Sequence, residues 1–262
     1  MSVGSAFEVL FNLTYLCLVL SAGFGLLVKG RGGRESTVFA LMCLILGFGD
    51  CFHLAPRSYK ILFGDSPRVT AAVGLGNLIT AFGMTIFYVL FLEVIGLHYK
   101  KDVKYWRIPC CVLFILRAVA LLLPQNDWIH NHFDLTISLV RNTPFVILGV
   151  IVTCLLFAYS QQREQDPFKF MWVYVTVSFA CYLPVALIHF GDYRDAVLMI
   201  VKTIAYLCIV FTGFNHLCLV KDKEMLLVFF TMLYAVIHND TPFHTNTQPN
   251  SRPARLKADA RY

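Results

Sequence analysis

The sequence predicts an all-α polytopic membrane protein, a seven-transmembrane helix bundle with its N-terminus outside and its C-terminus cytosolic. Three observations predict it. Of 262 residues, 58% are hydrophobic and only 15% are charged, too little charge to cover a soluble domain of this length. The apolar residues fall in blocks of roughly 18 to 25, the length a helix needs to cross a bilayer, and mean hydropathy is +0.65. Lys and Arg are divided unevenly between alternate connections, which sets the orientation.

The first block, about Phe7 to Val28, has no basic stretch before it and is followed by Lys29, Arg31 and Arg34. A secretory signal peptide carries its charge on the other side, so this block reads as span one. Span two covers about Thr37 to Ala55, and Gly64-Asp-Ser-Pro67 marks the turn after it. Span three runs from about Ala71 to Leu97 and leads into the basic, aromatic loop His98 to Arg107. Span four is about Ile108 to Leu123. Span five is expected to start at Pro144, a good first-turn residue, which puts Arg141 and Asn142 at its head. Span six is Phe170 to Phe190, and span seven about Ala196 to Val220.

With the N-terminus outside, the inner connections hold eleven Lys and Arg against five outside, and the tail adds four more inside. The membrane domain is thus residues 1–222. Residues 223–238 contain an apolar run, Met225 to Ile237, too short for a comfortable span, and read as an interfacial amphipathic helix. Residues 239–262 read as a disordered basic tail. The net charge of +6 sits at connection ends and in the tail, and suits an anionic membrane surface rather than nucleic acid. The nine cysteines lie in the spans without a CxxC pair, as packing residues.

Span two closes on Gly47-Phe-Gly-Asp-Cys-Phe-His-Leu-Ala-Pro-Arg57. At helical pitch Asp50, His53 and Arg57 share a face. Pro56 has no N–H to donate, which frees the carbonyl of Phe52. Ionisable groups inside membrane helices are costly, point inward and mark a working site. Placed by depth, Asp50, His53, Arg57, Asn77, Arg117, Arg141, Asn142, His189 and Lys202 all fall in the outer half. The inner half carries little beyond Glu93 and His216.

That segregation predicts one outward-opening, ligand-binding pocket. It is cationic: Arg57, Arg117, Arg141 and Lys202 face Asp50, with Asp127 and Asp192 near the rim. Uncompensated buried cations imply an anionic guest, a phosphate or carboxylate held bidentately by arginine. The apolar walls suit an acyl or isoprenoid tail. The expected partners are membrane lipids and an anionic small molecule or lipid head group, with no nucleic acid. Plainer readings stand beside this one. Asp50 with Lys202 or Arg117 would be an interhelical ion pair, His53 a hydrogen-bonded core histidine, and Arg57 and His189 snorkelling side chains. Trp106, Trp128 and Trp172 fall at span ends and read as an interface belt.

Together with Pro124-Gln-Asn-Asp-Trp128, Arg141-Asn-Thr-Pro-Phe145 and Lys202-Thr-Ile-Ala-Tyr206, the span-two motif resembles an uncharacterised family of seven-span, mostly microbial membrane proteins. The likeness covers about Phe7 to Phe214 and implies the fold and the site positions, without an activity. A more distant likeness, seven spans with a histidine and an aspartate in span two, is to the alkaline ceramidase and progestin/adiponectin-receptor superfamily, which implies zinc. The H-x-x-x-H pair of that superfamily's last span is missing, and only His216 stands there. A metal set would be Asp50, His53 and His189, but the neighbouring cations oppose it, so no cofactor is predicted.

Three functions compete. The favoured one is a receptor or carrier-like binder of an anionic amphiphile or small anion. The alternative is an intramembrane lipid hydrolase, with or without a metal. The third is a retinal-type protein using Lys202 as a Schiff base and Asp50 as counter-ion. Familiar rhodopsins place one acid a turn before that lysine and another on span three; here Leu198 stands at the first position and span three has no outer acid. Spacing reveals no serine or cysteine nucleophile paired with a base.

Overall fold

A computed structural model describes residues 3–130, 133–188 and 193–218, with single helical positions at 231 and 234. Among these residues the only regular secondary structure is helix, apart from one isolated backbone bridge. The helices are α1 (Val3–Lys29), α2 (Arg34–Phe63), α3 (Pro67–Tyr99), α4 (Lys104–Leu122), α5 (Leu135–Ser160), α6 (Met171–Leu187) and α7 (Tyr193–Leu217). Six of them, all but α6, are long and apolar enough to cross a membrane, and α6 is a shorter apolar helix of 17 residues. The expected interfacial helix and basic tail lie outside the described residues, save those two positions.

Short connections force neighbouring helices to run antiparallel, and each packs on the next in chain order. The ring closes where α1 and α7 end side by side. There the Arg31 N–H donates to the Leu217 carbonyl at 2.8 Å, and Gly30 and Cys218 form an antiparallel bridge. The turn from α1 into α2 passes through Gly32 and Gly33 at φ 73° and 93°, a region costly for any residue with a Cβ. The turn from α2 into α3 is fixed by Ser66, whose Oγ accepts the Val69 N–H, with Pro67 in the first turn. Beside it Asp65 pairs with Lys60 at 2.6 Å and accepts the Thr70 hydroxyl at 2.8 Å. The Lys60 ammonium and then Thr70 hold the Asp65 carboxyl below the usual carboxylate range.

Two prolines lie deeper in their helices than sequence spacing indicates. Helix α5 begins at Leu135, more than two turns before Pro144, because Asp134 caps it and accepts the Ile137 N–H at 2.8 Å. Pro144 therefore sits inside α5, and Arg141 and Asn142 project from the helix body instead of heading it. Likewise α2 continues through Pro56 to Phe63.

The central helix is α3, which packs on α2, α4 and α5. Its Phe87, Tyr88 and Phe91 are fully buried and form an aromatic layer with Phe145 (α5), Phe179 (α6) and Tyr206 (α7). Ring centroids in this layer are 5.0–5.8 Å apart, mostly edge-on, an arrangement that adds about 0.5–1.5 kcal/mol per pair to plain burial. On one side of the layer the bundle holds a cavity. On the other, Phe39, Met42 and Cys43 of α2 and Val210 of α7 are fully buried.

Candidate functional site

The cavity measures about 330 Å³. Its lining brings together Asp50, His53 and Arg57 of α2, Asn77 of α3, Arg117 of α4, Arg141 and Asn142 of α5, and Lys202 of α7. These are all the sequence-derived candidates except His189, which lies outside the described residues, as does Asp192. The zinc set Asp50, His53 and His189 therefore has only two members described. Tyr182, Tyr206, Trp128, Asn126 and Asp195 also line the cavity.

Each sequence motif supplies a distinct part. In α2, the backbone comes close to α3: Gly76 abuts the Phe52 carbonyl that Pro56 leaves without a helical donor, and the Thr80 hydroxyl donates to the Gly49 carbonyl at 2.8 Å. Asp50 accepts the Tyr15 hydroxyl at 2.6 Å, and Arg57 Nε donates to Glu8 at 2.6 Å. Both partners come from α1, and sequence spacing gave no sign of either. No ion pair joins Asp50 to Lys202 or Arg117 among the described residues, so the simple interhelical pair is not what holds Asp50.

The Pro124–Trp128 stretch ties off the end of α4. The Asn126 amide donates to the carbonyls of Ala120, Leu121 and Leu123 at 2.8, 3.2 and 2.9 Å, and Trp128 Nε1 donates to Leu121 at 2.9 Å. The Ala120 and Leu123 carbonyls also accept the backbone N–H groups of Leu123 and Asn126 at 3.4 and 3.1 Å, so the side chains reinforce the end of the helix. The same knot presents Arg141, whose Nη1 donates to Asn126 Oδ1 at 3.0 Å and whose guanidinium lies 4.8 Å from the Trp128 ring centre. Trp128 thus lines the cavity.

From α5, Asn142 accepts the Tyr182 hydroxyl at 2.7 Å and donates to Ser138 Oγ at 3.1 Å. Lys202 Nζ lies 4.9 Å from the Tyr182 ring centre and 5.8 Å from that of Tyr206. Tyr206 in turn meets Tyr88 through their hydroxyls at 3.3 Å.

Arg117 is the exceptional member. It is 2% exposed, with its guanidinium 3.7 Å from the centre of the Phe145 ring. Its Nε and Nη1 have no hydrogen-bond partner among the described residues, and neither has the buried His53 Nδ1. Buried polar groups are rarely left so. Counting the lining with its nearest partner, Arg57 is neutralised by Glu8, and Arg117, Arg141 and Lys202 face Asp50 and Asp195. Among the described lining residues the excess of positive charge is narrower than the sequence indicates.

The opposite end of the bundle is not bare. Glu35, His98, Asp166 and His216 meet there, with Nδ1 of His98 2.8 Å from Glu35 and its Nε2 3.0 Å from Asp166. Sequence reasoning did not single out Glu35 or Asp166, because nothing in spacing links α2, α3 and the α5–α6 connection.

No family model, no curated protein and no solved structure matches the chain.

Proposed function

We propose that this integral membrane protein binds an anionic amphiphile or small anion in the cavity, as a receptor or carrier. The observation that carries the reading is Arg117, a buried guanidinium with two donors unmatched, stacked on Phe145 at the cavity wall. A carboxylate or phosphate oxygen supplies the acceptors it lacks, with Arg141 and Lys202 close enough in the same lining to share the charge. Phe145, Met84, Leu121 and Val185 offer apolar wall for a tail.

Among the described residues the lining holds no serine or cysteine, which favours binding over nucleophilic hydrolysis. Lipid hydrolysis is the second reading, and the unpartnered His53 Nδ1 beside Asp50 is the observation that favours it. The orientation follows from the distribution of Lys and Arg: the cavity opens outside and the α1–α2 and α3–α4 connections face the cytosol. In this reading α6, about 26 Å long at 1.5 Å per residue, completes seven crossings.

The test is a native mass spectrum of the purified protein beside Arg117→Met and Lys202→Ala. Methionine keeps the packing on Phe145 and removes the donors. An adduct in wild type that is lost in both variants supports the reading, and its mass gives the guest class. A bare wild-type mass, with both variants melting lower, sinks it.

A further inference from the structure

The polar cluster at the end opposite the cavity has no part in anion binding. Glu35 lies in the first turn of α2, His98 and His216 in the last turns of α3 and α7, and Asp166 in the α5–α6 connection. Glu35 and Asp50 are separated along α2 by about 22 Å at 1.5 Å per residue, with the aromatic layer between the two sites.

The ligand atoms of Glu35, His98 and His216 lie within 4.8 Å of one another. His98 is 6% exposed, and its ring stacks on Phe168 with centroids 4.0 Å apart. Its Nδ1 meets Glu35 Oε1 at 2.8 Å, and its Nε2 meets Asp166 Oδ1 at 3.0 Å. Asp166 is itself fixed by the Tyr99 hydroxyl and by the Phe168 N–H at 3.0 Å. A proton on Nε2 is thus directed to an immobilised carboxylate, which leaves the Nδ1 lone pair facing Glu35. Proteins orient metal-binding imidazoles in this way, through a carboxylate on the far nitrogen. The His216 ring stands edge-on to His98, 5.2 Å between centroids and 82° between planes. Its nitrogens make no hydrogen bond to a described residue.

We propose that Glu35, His98 and His216 bind a divalent transition-metal ion of the zinc class, with Asp166 orienting His98. Two imidazoles and a carboxylate are a donor set that suits zinc. Bonds of about 2.0–2.2 Å in a tetrahedral site hold neighbouring ligand atoms about 3.4 Å apart. Shifts of about an ångström in Glu35 and His216, both partly exposed, close the set. The charges also agree. With neutral imidazoles, Glu35 and Asp166 carry two negative charges toward a dication, with Arg163 beside Tyr99 at the edge of the cluster. A protonated His98 bridging the two carboxylates is the competing account, and it leaves the placement of His216 against His98 without a role. The ion ties α2, α3 and α7 together at one end.

The experiment uses the full-length chain freed of any affinity tag, loaded with zinc and then exchanged into metal-free buffer. Elemental analysis is expected to find one zinc per chain, and cobalt loading to give visible absorption of a tetrahedral ion. His216→Gln disturbs no hydrogen bond among the described residues and keeps the fold testable. It and Glu35→Gln are expected to weaken zinc binding at least tenfold, Asp166→Asn by about 10–100-fold, while Asp50→Asn keeps full occupancy. The proposal is overturned by a wild-type chain that holds no zinc, or by zinc that survives both His216→Gln and Glu35→Gln. It is equally overturned if Asp50→Asn abolishes binding and His216→Gln does not.

Discussion

Replacing Gly76 with alanine tests the contact that sets α3 against the site-bearing face of α2. The added Cβ would stand 2.7 Å from the Phe52 carbonyl carbon and 2.8 Å from His53 Cα, where carbon atoms settle at about 3.5–4.0 Å. Both atoms are backbone and cannot rotate away, so α3 must retreat by about 1 Å. Overpacking of this kind costs about 1–3 kcal/mol. The retreat also loosens the Thr80–Gly49 hydrogen bond, worth about 1 kcal/mol, and alanine's better helix propensity returns about 0.5–1 kcal/mol. The net is about 2 kcal/mol, a fall in melting midpoint of about 4–8 °C for a chain of this size. Gly83, two turns further along α3, is the control. A Cβ there would lie 3.5 Å or more from Gly49 and Ile45, so Gly83→Ala is expected to be neutral or slightly stabilising. The protein carries its own reporters for a thiol-reactive dye: Cys43, Cys110, Cys181 and Cys218 are buried and become reactive on unfolding. Equal midpoints for the two variants would refute the reasoning.

Other substitutions probe single contacts. Asn142→Ala leaves the Tyr182 hydroxyl without its acceptor and is expected to cost about 1–3 kcal/mol in the same melting assay. A double-mutant cycle of Glu8→Gln and Arg57→Gln is expected to give a coupling of about 0.5–1 kcal/mol, small because the side chains are 21% and 38% exposed. The Asp65 carboxyl, held low by Lys60 and Thr70, keeps its contribution above the unfolded value of about 3.9 and loses it as pH falls through its own depressed pKa. Asp65→Asn is therefore expected to lower the melting midpoint slightly near pH 7, where the carboxylate makes its contribution, with the difference from wild type shrinking as pH falls below about 4. Asn239-Asp-Thr241 is a glycosylation sequon, and with the C-terminus cytosolic it is expected to stay unmodified in a glycosylating host. A glycan there reverses the orientation.

The helices themselves were legible because span length and apolar composition are properties of the chain alone. Most of the cavity was legible for a related reason: helical pitch places Asp50, His53 and Arg57 on one face, and depth along a span sorts the remaining polar residues. What spacing could not supply was the lateral register between helices. Tyr15 and Glu8 sit in a mostly apolar first helix, and only the packing of α1 on α2 makes them partners of Asp50 and Arg57. The start of α5 was misplaced because Pro144 fits either a first turn or a helix interior, and the capping role of Asp134 appears only through its bond to the Ile137 N–H. His98 reads as the start of a loop, and Asp166 is not singled out, for the same reason. Their meaning depends on which connection folds over which helix end.

The aromatic layer also has an electrical consequence. A membrane voltage falls across the part of the protein that excludes water and ions; with the cavity opening outside as proposed, that part begins at Phe87 and Tyr88, beyond the cavity floor. An anion that reaches Arg117 through the open cavity has crossed little of the field, so its affinity should hardly change with membrane potential. A charge carried on past Phe91 toward Glu35 would instead take up most of the drop, about 2.3 kcal/mol per elementary charge for each 100 mV. Current or affinity measured against voltage therefore separates a protein that holds its guest at the mouth from one that passes it through.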